Sequence, residues 1–218
     1  MRSSKTECSG RCGPCWECEL EIAGGGEKTV AGVDEAGRGC LAGPVVAAAV
    51  ILPRHATLNG LDDSKKLSPK KRTALRGAIQ EMPGVFFGIG LATEREIDEL
   101  NILEATRLAM IRAISALRRG PELVLVDGRR WKEFPWPHVG VVGGDALCPS
   151  IAAASVLAKC ARDDMMVELH SKDPRYEFHI NKGYGTAAHL AALARHGPGR
   201  HHRRTFAPVA QATLPGIG

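Results

Sequence analysis

Val30-Ala31-Gly32-Val33-Asp34-Glu35-Ala36-Gly37-Arg38-Gly39 is a short apolar run that ends in two adjacent carboxylates and a Gly-Arg-Gly turn. A second apolar run, Pro44 to Leu52, follows at once. The pattern reads as a strand, a tight connection and a returning strand. Neighbouring acids repel one another, and a bound divalent cation is the usual reason such crowding is kept. The turn adds backbone donors and one cation, which suits a phosphate or a sugar. These residues lead us to expect a carboxylate metal site with a nucleic-acid backbone laid beside it. Neighbours on a strand point to opposite faces, so Asp34 and Glu35 can share metals only if the strand ends or kinks between them.

The same grammar recurs downstream. Glu122 to Gly128 is a buried-type strand that ends in Asp127, and Val139 to Asp145 is an apolar run that ends in Asp145. In open α/β sheets, functional groups gather at the carboxyl ends of strands. A lone Asp-Gly is also an ordinary turn, but three apolar runs that each deliver acid at their C-terminal end are harder to explain as turns alone.

Between these runs the chain alternates with helices. Ser68 is an N-cap with Pro69 at the first helical position, and the helix runs to about Met82. Lys65, Lys66, Lys70, Lys71 and Arg72 crowd its start, as a solvated face or, beside a metal site, a phosphate patch. Val85 to Leu91 is a strand, and Thr93 with Glu96 forms a capping box. A helix over roughly 102–119 carries Leu103, Met110, Ile114 and Leu117 as a core stripe. Pro149 starts a long helix, Ile151 to about His170, whose first half is rich in small side chains that let it press closely on a sheet. Asp145 lies just before it, facing its N-terminal dipole. Asp163 and Asp164, more than three turns on, read as surface groups or supports behind the ligands.

Tyr184 stands between Gly183 and Gly185, beside Lys182. Its ring either stacks on a base or sugar or packs over a turn. A helix follows to about His196. Arg200-His201-His202-Arg203-Arg204 then suggests phosphate contacts or a hydrophilic surface, without zinc-like spacing. The tail past Pro208 reads as frayed.

The 218 residues are 44% hydrophobic, enough for one large domain or a domain with a small appendage. A net charge of +5 permits polyanion binding without demanding it. No apolar run approaches the roughly 18 residues of a membrane span, and no basic-then-apolar start marks a secretion signal, so a cytoplasmic enzyme is expected. Cys8, Cys12, Cys15 and Cys18 form a C-x3-C-x2-C-x2-C cluster whose spacing can bind zinc or an iron–sulfur cluster. The alternative is a reduced tail cut off by Gly24-Gly25-Gly26. Cys40, Cys148 and Cys160 read as small apolar residues. Residues 1–28 are taken as a flexible Cys-rich extension, 29–208 as the catalytic domain with a C-terminal helical segment, and 209–218 as a tail.

Val-Asp-Glu-Ala-Gly-Arg-Gly at 33–39 resembles the opening motif of type 2 ribonuclease H, ribonuclease HII. The likeness continues through Asp63-Ser64-Lys65-Lys66-Leu67, the run from Glu96 to Leu103, Val126-Asp127-Gly128, Gly144-Asp145 and the run from Ile151 to Lys159. It ends with Lys182-Gly183-Tyr184-Gly185-Thr186, His196-Gly197 and the run from His201 to Phe206. Motifs in order over about 30–208 make the match specific. The resemblance implies an α/β, ribonuclease H-like fold: a mixed, mainly five-stranded sheet flanked by helices, with a C-terminal helical segment. It implies an endonuclease that cuts 5′ of a ribonucleotide in duplex DNA, and RNA in RNA–DNA hybrids, leaving 3′-hydroxyl and 5′-phosphate ends, in the service of ribonucleotide removal from DNA. Asp34, Glu35, Asp127 and Asp145 would bind two Mg²⁺ or Mn²⁺ ions. Gly37, Arg38 and Gly39 would read the ribose 2′-hydroxyl, Tyr184 would stack on the following sugar, and Lys65, Lys66 and Lys182 would meet the substrate. The enzyme would act as a monomer. Cys40 stands where the family often has proline, and the Cys-rich extension is not a family feature.

Other classes make different demands. A non-catalytic nucleic-acid-binding module needs the basic patches but not the strand-end acids. A dinucleotide-binding fold lacks its third glycine and its helix here. A type 3 ribonuclease H shares the acids but prefers longer hybrids.

Overall fold

A computed structural model describes residues 13–62, 64 and 66–212. Lys65, Cys8 and Cys12 therefore lie outside the described residues.

The opening run forms β1 (Val30–Ala36), and the second forms β2 (Val45–Ile51), paired antiparallel with Asp34 opposite Ala48 and Glu35 opposite Ala47. β3 (Phe86–Ala92) continues the antiparallel edge, while β4 (Leu123–Asp127) and β5 (His138–Val141) join β1 in parallel. The order is β3-β2-β1-β4-β5, the mixed five-stranded sheet that the resemblance implied.

β2 is buried at every residue, so it reads as a continuous apolar run rather than an alternating one. Its period of two still sorts the sides. Ala47 and Ala49 join Val33 and Val126 under α4 (Ile102–Ser115), whereas Ala48 and Val50 join Ala153, Val156 and Leu157 of α5 (Pro149–Lys172). α5 lies close on β1 because both surfaces are stripped of bulk. The residues from Ile151 to Ala158 are all buried, and a Cβ at Gly32 would collide with the backbone of Ser150.

α2 (Pro69–Glu81) starts on the Ser68 cap, and α3 (Glu94–Leu100) opens with the reciprocal Thr93–Glu96 capping box, as the sequence suggests. α4 ends at Ser115, short of Arg119. Leu117 N–H turns to the Ile114 carbonyl at 3.1 Å, tightening the chain into the loop before Gly120. Of its expected core stripe, Met110 and Ile114 are buried, but Leu103 is 49% exposed. α6 (Phe178–Asn181) and α7 (Ala187–His196) build the C-terminal segment.

Two expectations about the ends are corrected. Residues 13–28 are not a loose extension: α1 (Trp16–Ile22) is docked on the sheet domain. Its Glu19 carboxylate is buried and accepts from Ser150 N at 2.9 Å, which caps the start of α5, where the Cys148 side chain makes no capping bond. Trp16 Nε1 donates to Ala56 O at 3.0 Å, and Cys15 N to Leu147 O at 3.1 Å. At the other end, α8 (Ala207–Ala212) continues past Pro208. Val209 is buried against Leu41, Leu193 and Phe206, which holds a segment too short to show a periodic pattern.

Candidate active site

The strand-end acids lie at one end of the sheet, beyond the C-terminal ends of the interior strands β1 and β4. Parallel pairing sets Val33 beside Val126, so the next residues, Asp34 and Asp127, leave β1 and β4 side by side. Asp127 Oδ1 accepts from Gly144 N at 2.8 Å, which ties it to the one-turn 3-10 segment Gly144–Ala146 carrying the buried Asp145. Pairing with Ala48 and Ala47 sends Asp34 and Glu35 to opposite faces of β1, although the strand ends one residue later. Asp34 lies on the α5 side, 5% exposed, hydrogen-bonded to Ser155 and accepting from Glu35 N at 2.7 Å. Glu35 opens into a cleft of about 970 Å³, which Asp127 also lines. Its Oε1 is 3.1 Å from Arg38 Nη1. With Glu35 turned to Arg38 and Asp127 to Gly144, no three His, Cys, Asp or Glu side chains among the described residues already close on one point.

The electrostatics are those of a cation site. Burial, then the neighbouring Glu35 and Asp127, push the Asp34 carboxyl well above the usual carboxylate range, and the Ser155 hydroxyl only partly offsets this. A divalent cation would relieve such excess negative charge, and carboxylate oxygens are the hard donors that Mg²⁺ or Mn²⁺ takes. The donor set therefore fits the implied ions. Ser155 Oγ is 2.8 Å from the buried Ser64 Oγ, so Ser64 is anchored behind Asp34. Lys66 is exposed there, with its ammonium 3.2 Å from Asp62.

The Gly37-Arg38-Gly39 turn is braced from behind. Arg203, fully buried, donates to the carbonyls of Gly37 (2.7 Å), Arg38 (2.8 Å) and Gly43 (3.0 Å). Arg162, equally buried, donates to Ala42 (3.1 Å), Pro44 (3.0 Å) and Lys182 (2.8 Å). Turn carbonyls held from inside leave the opposite edges of those peptides for the outside. Gly37 has φ +94°, and a Cβ there would strike the Arg162 guanidinium, so glycine is required. Cys40 is buried beside this brace, and its thiol meets Tyr184. The expectation for 200–204 is corrected at two residues: Arg203 is a buried brace and His202 a buried aromatic-cluster residue, whereas Arg200 and Arg204 are exposed.

Tyr184 is 45% exposed, with the Lys159 ammonium and the Arg162 guanidinium each 6.0 Å from its ring centre. Its carbonyl accepts from His189 Nδ1 at 2.8 Å. His189 Nε2 lies 3.0 Å from His202 Nε2, and Gly199 N donates to His202 Nδ1 at 3.1 Å. One proton arrangement satisfies all three bonds: both rings neutral, His202 donating through Nε2 and His189 through Nδ1. Lys182 sits at the adjacent bend with φ +51°. Asp163 is occupied by Lys159 (2.7 Å) and Arg72 (3.8 Å), and Asp164 by Arg76, so both are supports rather than ligands. Cys15 Sγ caps α1, accepting from Cys18 N at 3.4 Å.

Sequence reasoning missed the residues on the far side of the cleft: Arg129, Arg130, Trp131 and Lys132. Three cations in four residues directly after Asp127-Gly128 were the available signal. It also missed the inward role of Arg162 and Arg203, which no local pattern distinguishes from surface arginine.

The ribonuclease HII family model matches residues 31–209. A ribonuclease HII from Rhizorhabdus wittichii is 58% identical over 196 residues, 90% of this chain and 95% of that one. The crystal structure of ribonuclease H2 from Pyrococcus horikoshii OT3 superposes with a TM-score of 0.68 at 25% identity, covering 84% of this chain and 96% of that one. Bst-RNase HIII, solved in complex with Mn²⁺, shares the fold with a TM-score of 0.70 at 19% identity, over 88% of this chain and 71% of that one.

Proposed function

This chain belongs to the ribonuclease HII family of endonucleases, and on that premise we propose that it hydrolyses the phosphodiester 5′ of a ribonucleotide embedded in duplex DNA, and RNA within RNA–DNA hybrids, leaving 3′-hydroxyl and 5′-phosphate ends. The observation that carries this reading is the buried, mutually repelling cluster around Asp34 at the strand ends, set beside a turn that is braced from within. Asp34, Glu35, Asp127 and Asp145 would hold Mg²⁺ or Mn²⁺, which when bound supplies an activated water and stabilisation of the leaving oxyanion.

The chain's own residues do the rest. Arg203 holds the Gly37 and Arg38 carbonyls, and Arg162 those of Ala42 and Pro44 just after them, so that the turn's outward polar groups meet a ribose 2′-hydroxyl, the group that separates RNA from DNA at one position. Tyr184 offers an exposed ring face to the next sugar, held in place by the His189–His202 relay. Lys66 and Lys182, with Lys65, meet phosphates. No helix is long and apolar enough to cross a membrane among the described residues. The role we assign is removal of ribonucleotides from DNA in the cytoplasm, by a monomer.

A labelled DNA duplex with a single ribonucleotide, incubated with protein and Mg²⁺ or Mn²⁺, tests the reading. A nick 5′ of the ribonucleotide that is absent with Asp34→Asn supports it. Cutting confined to long hybrids would replace it with a type 3-like activity. Binding without cutting by the unaltered protein would leave a nucleic-acid-binding module.

A further inference from the structure

The cleft that receives Glu35 and Asp127 does not end at the acids. Its far wall is the loop from Gly128 to Pro137, and that loop is built rather than slack. The His138 ring lies between the Trp131 and Trp136 carbonyls, with Nε2 and Nδ1 each 3.1 Å from one of them, and a neutral ring donates to one of the two. Arg107 Nη1 bonds the Glu133 carbonyl at 3.4 Å. The Phe134 ring packs on Trp136 and His138, with centroids 5.9 and 4.9 Å apart, and Trp131, Phe134 and Trp136 rest on the α4-side core. On this fixed support stand three exposed cations, Arg129, Arg130 and Lys132. None has an ion-pair or hydrogen-bonding side-chain partner among the described residues, whereas nearby Arg107 is paired with Glu104 at 2.7 Å. The indole N–H of Trp131, on the same cleft wall, is likewise without an acceptor among the described residues.

Unpaired like charges held on a rigid loop repel one another and gain nothing from the fold, so their location is explained by a polyanion outside it. The acids at the cleft floor indicate where along that polyanion the cut falls. We propose that Arg129, Arg130 and Lys132 form a phosphate clamp for the duplex flanking the cleaved bond, on the side of the acids away from Tyr184. This rests on the nuclease reading above and adds to it a second anchor. Tyr184 and the braced turn hold one flank of the ribonucleotide, and the loop holds the backbone beyond Asp127. The clamp reads charge and not base identity, because phosphate contacts position a duplex without specifying its sequence.

The test measures affinity by fluorescence anisotropy, in full-length Asp34→Asn protein, for a long duplex with one ribonucleotide and for the same duplex trimmed in steps from either end. Arg129→Ala/Arg130→Ala/Lys132→Ala is expected to weaken binding of the long duplex about tenfold at low salt. The slope of log affinity against log salt should flatten by about 2 to 3, near one for each phosphate that the loop no longer neutralises. The deficit should vanish when the duplex is trimmed from one end only. Lys132→Glu alone, at an exposed position, should weaken binding too, and Arg129→Lys/Arg130→Lys should restore it. Unchanged affinity and salt slope in the triple variant and in Lys132→Glu would overturn the clamp. Equal loss on every trimmed duplex would overturn it as well, by showing a general field rather than a local clamp. Nicking of the same duplex by unaltered protein is scored in parallel, so failure of the nuclease reading is seen separately from failure of the clamp.

Discussion

Asp34 shows how one side chain can be poor for the fold and necessary for the chemistry. Its carboxyl is buried beside two other acids, so the folded chain favours its protonated form. The sign follows: a carboxyl with a raised folded value contributes stability at low pH, and that contribution is lost as pH rises through the folded value. At neutral pH the charge costs the fold. Asparagine keeps an acceptor for Glu35 N–H while removing that charge. Asp34→Asn should therefore melt at or above the unaltered protein in chelator at neutral pH, while nicking falls by at least about two orders of magnitude. A melting temperature well below that of the parent would show that Asp34 is instead a structural residue. Cys40, which stands where the family often has proline, is buried next to the Arg162 and Arg203 guanidinium groups, and Arg203 holds the turn's carbonyls.

At the scale of elements, the contact between α5 and β1 sets the distance between Asp34 and its support. Gly32 sits in β1, and a Cβ there would meet the backbone of Ser150, which is pinned by Glu19 from α1. Backbone cannot rotate away as a side chain can, so the helix start must shift. Gly32→Ala is expected to cost about 1–3 kcal/mol by overpacking. It should also weaken activity, because the same helix carries Ser155 to Asp34. Denaturant unfolding checks the first part, and an unchanged midpoint would mean that α5 is free to ride outward. The small-residue run from Ile151 to Ala158 and the glycine at 32 are two halves of one close contact, written more than a hundred residues apart.

For the whole molecule, acid sensitivity should come through the C-terminal segment. His202 is pushed down to about 4, chiefly by burial and then by His189; Arg204 opposes its charge and Asp173 favours it. His189 is lowered too, by burial. Tyr176 and Phe178 wall the pair without adding charge at these pH values. The unfolded chain binds a proton at the His202 ring near 6.5, and the folded chain does not until about 4. Stability therefore falls as pH drops from about 6.5 to 4, with His202 alone accounting for on the order of 3 kcal/mol. The raised carboxyls of Glu19 and Asp34 act in the opposite sense. Melting temperature measured across that window should slope less in His202→Asn than in the parent, and an equal slope would place the sensitivity elsewhere.

Much of this protein is legible along the chain. Apolar runs that stop at acids locate three of the strands, β1, β4 and β5, and all four candidate metal residues, because strand period and carboxylate repulsion are local properties. Caps at Ser68 and Thr93 place their helices for the same reason. What only the tertiary structure decided depends on which surfaces meet. Arg162 and Arg203 look like solvent cations in sequence, and become a turn's internal scaffold only because Ala42–Pro44 and Lys182 fold over them. α1 looks like a tail until Glu19 finds the uncapped start of α5. The basic loop after Asp127 looks like an ordinary turn until β4 and β5 set it across the cleft from Glu35. Residue type and spacing dictate what a segment can become, whereas burial, charge compensation and partnership arise between segments distant in sequence, and those terms gave these residues their roles.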